Sequence, residues 1–390
     1  MIAVIADDLT GAAEIGGVAF RQGYRSIIRT SFTDIDSDVD TDVLIVASNT
    51  RSKPPEEARR IINALMLQLL KLAPDFIYKK IDSVLRGNVG EELFEQLKVC
   101  SMKRALIIPP NPSLNRIIKD GIYYYNGRPL NSHKFLPGSP TESKSSSVIE
   151  LIGAKSADQT FIISKGMPLP MEGLIVGNTT DESDLDHWAS EKDNQTVLAG
   201  GSSFFNAILK NIKLHLGLHS VNKSEIGNPR LFVCGSAFSA SRNVVKAAHK
   251  EGEFVAHMPS DLFCTHADRD SLVASWVDRI MAGMQKSGTV IIAVDEIQSS
   301  SIENLSEKIC DAFADVVKQV HDRITLKELF IEGGATSSAI LTSLNYDTFF
   351  PVQELALGVI RMKVERNDNL FITLKPGSYD WPASIWNYKT

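Results

Sequence analysis

The chain has 390 residues, of which 43% are hydrophobic and 23% are charged, so it is long enough for two domains that each bury a core. Its net charge of −6 argues against nucleic-acid binding, and no apolar stretch reaches the roughly 20 residues that span a bilayer. The apolar N-terminus runs into Asp7 and Asp8 too soon for a signal peptide, so we expect a cytoplasmic protein without a nucleic-acid or membrane partner.

In the first part of the chain, apolar runs alternate with helix-like segments. The predicted strands are Met1–Ala6, Asp42–Ala47, Phe76–Ile81 and Ala105–Ile108. The predicted helices are Ala12–Gln22, Pro55–Leu72 and Glu91–Val99. Continuous apolar runs separated by helices indicate parallel strands that are covered on both faces.

The rhythm changes in the middle of the chain. Asp120–Leu130 contains three tyrosines and an Asn-Gly pair, which predicts a short hairpin or extended loop. Lys134–Ser147 is rich in Ser, Pro and Gly and predicts a surface linker. The following predicted elements are strands at Thr160–Ser164, Gly173–Val176 and Thr196–Ala199, and helices at Ser183–Lys192 and after Ser202.

The polar stretch His219–Pro229 predicts a boundary between two domains, residues 1–218 and 230–390. The predicted strands after it are Leu231–Cys234, Val290–Val294, Leu329–Ile331 and Leu370–Leu374, and the predicted helices are Ala240–Lys250, Ile302–Val320 and Ser337–Ser343. We therefore expect two α/β domains with largely parallel sheets flanked by helices, and an active site in the cleft between them.

Polar side chains follow the first predicted strand at Asp7, Asp8 and Thr10. Two adjacent carboxylates repel each other, so the pair favours a functional site over a plain Asx-type helix cap, which remains the alternative. Arg51, after the second strand, and Arg116, after the fourth, are candidates for binding a carboxylate. Ligands of open α/β sheets bind beyond the carboxyl ends of the strands, where these side chains meet.

The densest polar cluster follows the third strand. It offers cations, a carboxylate, a hydroxyl and an amide from Lys80, Asp82, Ser83, Arg86 and Asn88. Cations suit the carboxylate of a small polyhydroxy acid, and the carboxylate and amide suit its hydroxyls. The alternative is a surface ion pair between the acidic residue and the arginine that caps the next helix.

The second half of the chain carries glycine-containing segments where strands end. Cys234–Ser239 and Glu332–Ser337 each lie between a predicted strand and a predicted helix, and Lys375–Ser378 follows the last strand. Small residues at such junctions expose helix N-terminal amides, which bind phosphate groups. No P-loop and no dinucleotide fingerprint occurs, so each segment could also be an ordinary turn.

A metal site is not predicted. The cysteines are widely separated, at Cys100, Cys234, Cys264 and Cys310. His215 and His219 have the spacing of helical ligands, but Gly217 lies between them and a half-exposed helix end is the better interpretation.

These motifs resemble those of the four-carbon acid sugar kinases, which phosphorylate tetronates with ATP. The resemblance rests on Ala6–Ala12, Thr50–Ser52, Lys80–Asn88, Gly235-Ser236 and Gly333–Thr336, in the order in which the family has them. It implies that the first domain binds the sugar acid through Asp7, Asp8, Arg51, Lys80, Asp82, Ser83, Arg86 and Asn88. It also implies that the second binds ATP through Ser236, Gly333, Gly334, Ala335, Thr336 and Gly377.

The chain departs from the family at several positions. Glu14 and Val84 stand where Asp and Thr are usual, Asn115 precedes Arg116 where Gly is usual, and Ala335 replaces a commonly acidic residue. The ending Lys375–Asp380 differs from the usual Lys-Ser-Gly-Asn-Phe-Gly. Two of these departures lie in the implied ATP site.

The resemblance implies a kinase that uses ATP and Mg²⁺ to phosphorylate the terminal hydroxyl of threonate, erythronate or 3-oxo-tetronate. Asp8 or Asp82 would deprotonate that hydroxyl. Arg86, Lys80 or Arg51 would bind the carboxylate, and one of them would offset charge on the phosphoryl group. The sequence does not distinguish the two aspartates, and a homodimer is one option for the assembly.

Two other functions stay open. The first is a HAD-like sugar phosphatase, because an apolar strand followed by Asp-Asp-Leu-Thr-Gly loosely resembles the start of those enzymes. In an extended strand, however, the adjacent carboxylates of Asp7 and Asp8 point in opposite directions. The second is a non-catalytic ligand-sensing module that uses the same site.

Overall fold

The computed structural model describes residues 1–31, 40–133, 145–212, 225–235, 239–263, 268–295, 304–377 and 379–386. The chain divides into two compact units, Met1–Leu218 and His219–Thr390. Most of the predicted linker and part of the predicted boundary lie outside the described residues, as do His215, His219, Cys264 and Ser236.

The first unit is built on a parallel sheet. Its strands are β1 (Ile2–Ala6), β2 (Ser26–Arg29), β3 (Val43–Ala47), β4 (Ile77–Lys80), β5 (Arg104–Ile108), β6 (Arg116–Lys119), β7 (Ile122–Tyr125), β8 (Arg128–Pro129), β9 (Thr160–Ile163), β10 (Gly173–Gly177) and β11 (Thr196–Gly200). Its helices are α1 (Leu9–Arg21), α2 (Pro55–Lys71), α3 (Val89–Cys100), α4 (Val148–Ile152), α5 (Glu182–Ser190) and α6 (Ser202–Asn211). The parallel strands lie in the order β2-β3-β1-β4-β11-β5-β10-β9.

Burial explains why the apolar runs form the centre of this sheet. Every residue of β1 and β3 is buried, which is the pattern of strands covered on both faces. On one face, Ile5 and Val46 pack against Ile62 and Met66 of α2. The predicted α/β class, with largely parallel sheets flanked by helices, is confirmed.

The order of the strands creates a crevice at one place in this sheet. From β1 the chain continues to β2 on one side, whereas from β4 it continues to β5 on the other side. Strands β1 and β4 are neighbours, with Ala6 paired with Lys80. A pair of neighbouring strands that the chain leaves in opposite directions is where open α/β sheets bind ligands.

The predicted hairpin is the second half of a small antiparallel sheet, β6-β7-β8. Asn126 and Gly127 join β7 to β8 with φ of 48° and 75°, as a two-residue hairpin turn requires. The sequence analysis missed β6, which turns into β7 through Asp120 and Gly121.

The second unit contains a mixed sheet. Its strands are β12 (Arg230–Cys234), β13 (Val255–His257), β14 (Thr289–Ala293), β15 (Glu328–Glu332), β16 (Thr348–Ala356), β17 (Val359–Val364) and β18 (Asn367–Lys375). Its helices are α7 (Ser239–Lys250), α8 (Arg269–Ser287), α9 (Leu305–Arg323) and α10 (Gly334–Ser343). The strand order is β13-β14-β12-β15-β18-β17-β16, parallel through β18 and antiparallel in the last three strands.

This sheet has its own crevice. From β12 the chain continues to β13 on one side, and from the neighbouring β15 it continues to β16 on the other side. Cys234, Glu332 and Lys375 are register partners at the ends of β12, β15 and β18. The three glycine-containing segments singled out in the sequence therefore leave the sheet side by side.

Several elements of the second unit were not predicted. Strand β17 was missed because Arg361 interrupts its apolar pattern, although that side chain is fully buried against Glu328. Helix α8 was missed although Val273, Trp276 and Ile280 form a buried helical stripe. Strands β13 and β16 of this unit, and β2 of the first unit, were also missed. Among the described residues, none of the helices combines the length and hydrophobicity that crossing a membrane requires.

The Arg361–Glu328 pair gives a stability prediction. Arg361→Met leaves the Glu328 carboxylate buried without its cation, so we expect the free energy of unfolding to fall by about 3 kcal/mol at neutral pH. Burial already raises the pKa of Glu328, so the loss should shrink as the pH falls and the carboxyl is protonated. Urea unfolding at pH 7.5 and pH 5 measures both effects.

The matched control for this variant is Lys363→Met on the same strand. The Lys363 side chain is exposed and pairs with an exposed Asp368, so this change should cost less than about 1 kcal/mol. Equal losses of unfolding free energy in Arg361→Met and Lys363→Met would contradict the prediction that the buried Glu328 carboxylate depends on Arg361.

Candidate functional site

The two adjacent aspartates have different environments. Asp8 caps α1: its Oδ1 accepts a hydrogen bond from the Gly11 amide at 2.7 Å, and its Oδ2 accepts one from Thr10 Oγ1 at 2.8 Å. The helix therefore begins at Leu9, three residues before the predicted start. The Asx-type cap that the sequence left as an alternative is present, and Arg51 also binds the Asp8 carboxylate.

Arg51 connects the ends of three strands. Its Nε and Nη2 donate to the two carboxylate oxygens of Asp7 at 2.9 and 2.8 Å, and its Nη1 donates to Asp8 Oδ2 at 2.5 Å. The same Nη1 lies 3.7 Å from Asp82 Oδ1. Burial opposes ionisation of Asp7, but the charges of Arg51 and of two neighbouring lysines hold the pKa of its carboxyl below the usual value.

Asp82 and Arg86 form a second tight pair. Arg86 donates through Nε to Asp82 Oδ2 at 2.9 Å and through Nη2 to Oδ1 at 2.5 Å, and the Val84 amide also donates to Oδ2. Burial opposes ionisation, yet Arg86 and Arg51 hold the pKa of Asp82 far below its ordinary value.

The Asp82–Arg86 ion pair of the alternative interpretation is present, but its carboxylate is buried and it does not cap the next helix. Only 6% of the Asp82 side chain is exposed, and the residue at the N-cap position of α3 is Asn88.

Lys80 completes the cluster from β4. Its buried ammonium donates to the Ile81 carbonyl at 2.9 Å and lies 3.5 Å from Glu14 Oε2. A Cβ at Gly11 would come within 2.7 Å of Asp8 Oδ1 and 3.3 Å of Lys80 Nζ. Glycine at this position therefore leaves room for the Asp8 carboxylate and the Lys80 ammonium. The sequence analysis noted Glu14 only as a departure from the family. Glu14 lies one helical turn after Thr10 of the Asp-Asp-Leu-Thr-Gly-Ala motif, and this spacing was the signal in the sequence for its place beside the cluster.

Asn88 acts on the loop that carries Arg51. Its amide Nδ2 donates to the carbonyls of Thr50 and Lys53, at 3.1 and 2.8 Å. Gly87 has φ of +93°, and a Cβ there would lie 3.2 Å from the Arg51 carbonyl oxygen. Both residues therefore fix the backbone behind the Arg51 guanidinium.

Ser83 and Arg116 meet beside this cluster. Arg116 Nη1 donates to Ser83 Oγ at 2.6 Å, and its guanidinium lies 5.5 Å from the ring centre of Tyr125. This contact connects the small antiparallel sheet to the loop after β4.

The structure thus joins six predicted residues at the β1/β4 crevice through hydrogen bonds and ion pairs: Asp7, Asp8, Thr10, Arg51, Asp82 and Arg86. Lys80 belongs to the same cluster through its charge, which lowers the pKa of Asp7 and of Asp82. The Arg86 side chain is 35% exposed, more than the other charged members. Its Nε and Nη2 groups bind the two carboxylate oxygens of Asp82. The cluster can receive an anion and orient hydroxyl groups.

In the second unit, α10 begins where β15 ends. Gly333 is the N-cap residue with φ of 93°, and the first main-chain hydrogen bond of the helix runs from the Ser337 amide to the Gly333 carbonyl. The amides of Gly334, Ala335 and Thr336 are the preceding helix donors, which such a start directs outward. A Cβ at Gly235 would lie 2.6 Å from Thr336 Oγ1, so glycine at this position allows the end of β12 to lie close to the start of α10.

Two further residues, Gly377 and Ser236, were predicted for the nucleotide site. Gly377 follows β18 and is half-buried. Ser236 lies outside the described residues. Within the residues that the structure describes, no group of three or more His, Cys, Asp or Glu side chains is arranged to hold a metal ion.

Family models match both units. A sugar-binding N-terminal domain matches residues 2–208, and a nucleotide-binding C-terminal domain matches residues 231–379. The chain is 25% identical to a D-threonate kinase of Salmonella typhimurium, over 90% of this chain and 88% of that protein. It is 23% identical to a 3-oxo-tetronate kinase of Actinobacillus succinogenes, over 97% and 96%.

A D-erythronate kinase of Heliobacterium modesticaldum is 25% identical, over 78% of this chain and 71% of that protein. Two solved structures share the fold. A Salmonella typhimurium protein described as a putative tRNA synthase has a TM-score of 0.80 at 16% identity, covering 100% of this chain and 99% of its own. A Haemophilus influenzae protein has a TM-score of 0.73 at 17% identity, covering 99% and 98%.

The position of Arg51 predicts how stability depends on pH. Arg51→Met removes the cation shared by the buried carboxylates, so we expect the free energy of unfolding at pH 7 to fall by about 3 kcal/mol. Because the pKa of Asp7 is lowered in the folded protein, the stabilisation is complete above the unfolded pKa and is lost at lower pH. The difference from wild type should therefore narrow below about pH 4.

Chemical denaturation from pH 7.5 to pH 3.5 measures this difference. Arg60→Met, on the exposed face of α2, is the control and should follow the wild-type curve. A deficit in Arg51→Met that is the same at every pH would contradict the electrostatic explanation.

Proposed function

The chain belongs to the four-carbon acid sugar kinase family, and on that premise we propose that it transfers the terminal phosphoryl group of ATP to the terminal hydroxyl of a tetronate. Threonate, erythronate and 3-oxo-tetronate are the candidate acceptors, since curated relatives are named for these acids. The observation that carries the proposal is the ionic cluster at the β1/β4 crevice, which combines anion-binding and hydroxyl-orienting groups in one place.

In this proposal Arg86 binds the carboxylate of the acid. All three guanidinium nitrogens of Arg51 donate to Asp7 or Asp8, whereas Arg86 is the most exposed charged member of the cluster. Its planar guanidinium can hold Asp82 on one edge and present Nη1 to a second anion. Lys80 and Arg51 supply the positive potential behind it, and Ser83 and Arg116 border the same site.

Asp8 is the better candidate to accept the proton of the substrate hydroxyl. Its side chain is 16% exposed, compared with 5% for Asp7 and 6% for Asp82. Asp82 also has a strongly lowered pKa, which makes it a poor base. We propose that Asp82 positions Arg86 and that Asp8 orients and deprotonates the hydroxyl. The reaction does not require a strong base at Asp8, because phosphoryl transfer depends mainly on alignment and charge neutralisation.

The second unit is proposed to bind ATP at the start of α10. Gly333, Gly334, Ala335 and Thr336 form a turn whose amides suit phosphate oxygens, and a side chain at Gly235 would fill this turn. ATP supplies the phosphoryl group. Mg²⁺, which the family implies, would be held chiefly by phosphate and water, since the described residues offer it no carboxylate cage. Residues 1–218 are thus the proposed sugar-acid domain and 230–390 the proposed nucleotide domain.

The proposed activity predicts ATP consumption that depends on a four-carbon acid. With Mg²⁺ present, D-threonate, D-erythronate or a 3-oxo-tetronate should increase ADP release well above the rate without an acid. A coupled assay measures ADP, and mass spectrometry identifies the phosphorylated acid. Phosphate release from a sugar phosphate without ATP would support the phosphatase alternative, and acid binding without turnover would support the sensing module.

Substitution of the two aspartates separates their roles. Asp8→Asn retains a side chain that caps a helix well, so the protein should fold while kcat falls about 100-fold or more. Asp82→Asn releases Arg86, so the KM for the acid should rise more than kcat falls. Steady-state kinetics in both substrates measure these effects.

The control for both variants is Asp181→Asn, which replaces another helix-capping aspartate, at the start of α5. It should leave kcat and KM unchanged. Near-normal turnover in both Asp8→Asn and Asp82→Asn would refute the proposed mechanism.

A further inference from the structure

A buried ion pair lies directly behind the proposed phosphate-binding turn. The Lys375 ammonium donates to Glu332 Oε1 at 2.9 Å, to the Pro376 carbonyl at 3.1 Å and to the Tyr379 carbonyl at 2.5 Å. It also lies 5.3 Å from the ring centre of Trp381. An ammonium has three N–H donors, so every donor of Lys375 is engaged within the protein.

Glu332 extends this network to the neighbouring elements. Its Oε2 accepts a hydrogen bond from Ser241 Oγ of α7 at 2.7 Å. The Lys375 and Glu332 side chains are only 2% and 1% exposed. The Gly333 amide donates to the Lys375 carbonyl at 2.9 Å, so the backbone of the turn is attached to the same strand end.

Stability alone does not explain a pair of this kind. Removing two charges from water costs several kcal/mol per ion, and apolar residues in the same place often stabilise as well or better. Burial raises the pKa of Glu332 although Lys375 opposes the shift, which reflects that cost. The contacts instead specify geometry, because they fix the ends of β15 and β18 and the start of α7 relative to one another.

We propose that Glu332 and Lys375 are positioning residues for nucleotide binding, and that Lys375 makes no contact with phosphate. The inference rests on the proposed function, since it concerns the site at which ATP would bind. The pair holds the Gly333–Thr336 turn so that its amides converge on one phosphate group. A small rotation of the α10 start would misdirect these amides, and preorganised donors lose most of their value when they are misaligned.

The two possible roles of Lys375 predict different results when its partner is changed. If Lys375 only positions the turn, Glu332→Gln should weaken nucleotide binding about as much as Lys375→Met does. If Lys375 bound phosphate directly, Lys375→Met would weaken binding, whereas Glu332→Gln would free the ammonium and leave binding unchanged or tighter. The pair of variants therefore distinguishes positioning from direct contact.

Calorimetric titration of the full chain with MgADP tests the inference, together with steady-state kinetics. We expect each variant to raise the dissociation constant of ADP and the KM for ATP about tenfold, while the KM for the acid and kcat at saturating ATP stay within about threefold. Lys318→Met, which removes an exposed lysine of α9, is the control and should behave as wild type.

Ser241→Ala keeps the test decisive if Lys375→Met fails to fold. It removes one hydrogen bond to Glu332 and leaves the ion pair, so it should weaken ADP binding about threefold with little change in stability. Unchanged ADP binding in Glu332→Gln and Ser241→Ala would overturn the inference while wild type still binds ADP. Wild-type protein that neither binds ADP nor consumes ATP would instead overturn the proposed function, and this inference with it.

Discussion

The first unit depends on the balance of charge around the Arg51 guanidinium. Asp7 and Asp8 are adjacent, at 5% and 16% exposure, and without a cation the two carboxylates would repel each other. Arg51 contacts both and approaches Asp82 from the next strand end. The loops after β1, β3 and β4 are therefore held together by one side chain, on which the geometry of the proposed acid site depends.

The two units use the same feature of α/β topology with different chemistry. In each, the chain leaves two neighbouring strands in opposite directions, and the proposed ligand-binding groups follow those strands. The first crevice is lined by charged side chains, which suit a carboxylate and hydroxyls. The second presents backbone amides at a helix start, which suit phosphate groups and need glycine more than charge.

Much of this could be predicted from the sequence because strand ends are visible as apolar runs that stop at polar residues. Asp8, Asp82 and Arg86 were found in this way. The pairing of Glu332 with Lys375 could not be found, since 43 residues separate them and only the strand order makes them neighbours. The buried position of Arg361 is hidden for a related reason: a charged residue within a strand suggests exposure to solvent, and nothing in the local sequence shows that Glu328 neutralises it.

Because Asn88 fixes the loop that carries Arg51, it affects how much conformational entropy is lost when a ligand binds. The side-chain amide of Asn88 donates hydrogen bonds to the carbonyls of Thr50 and Lys53, and Gly87 lies close to the backbone of Arg51. A loop that is ordered beforehand loses little conformational entropy when a small molecule arrives. A four-carbon acid has few atoms with which to offset such a loss, so rigidity built in at folding makes recognition of so small a molecule feasible.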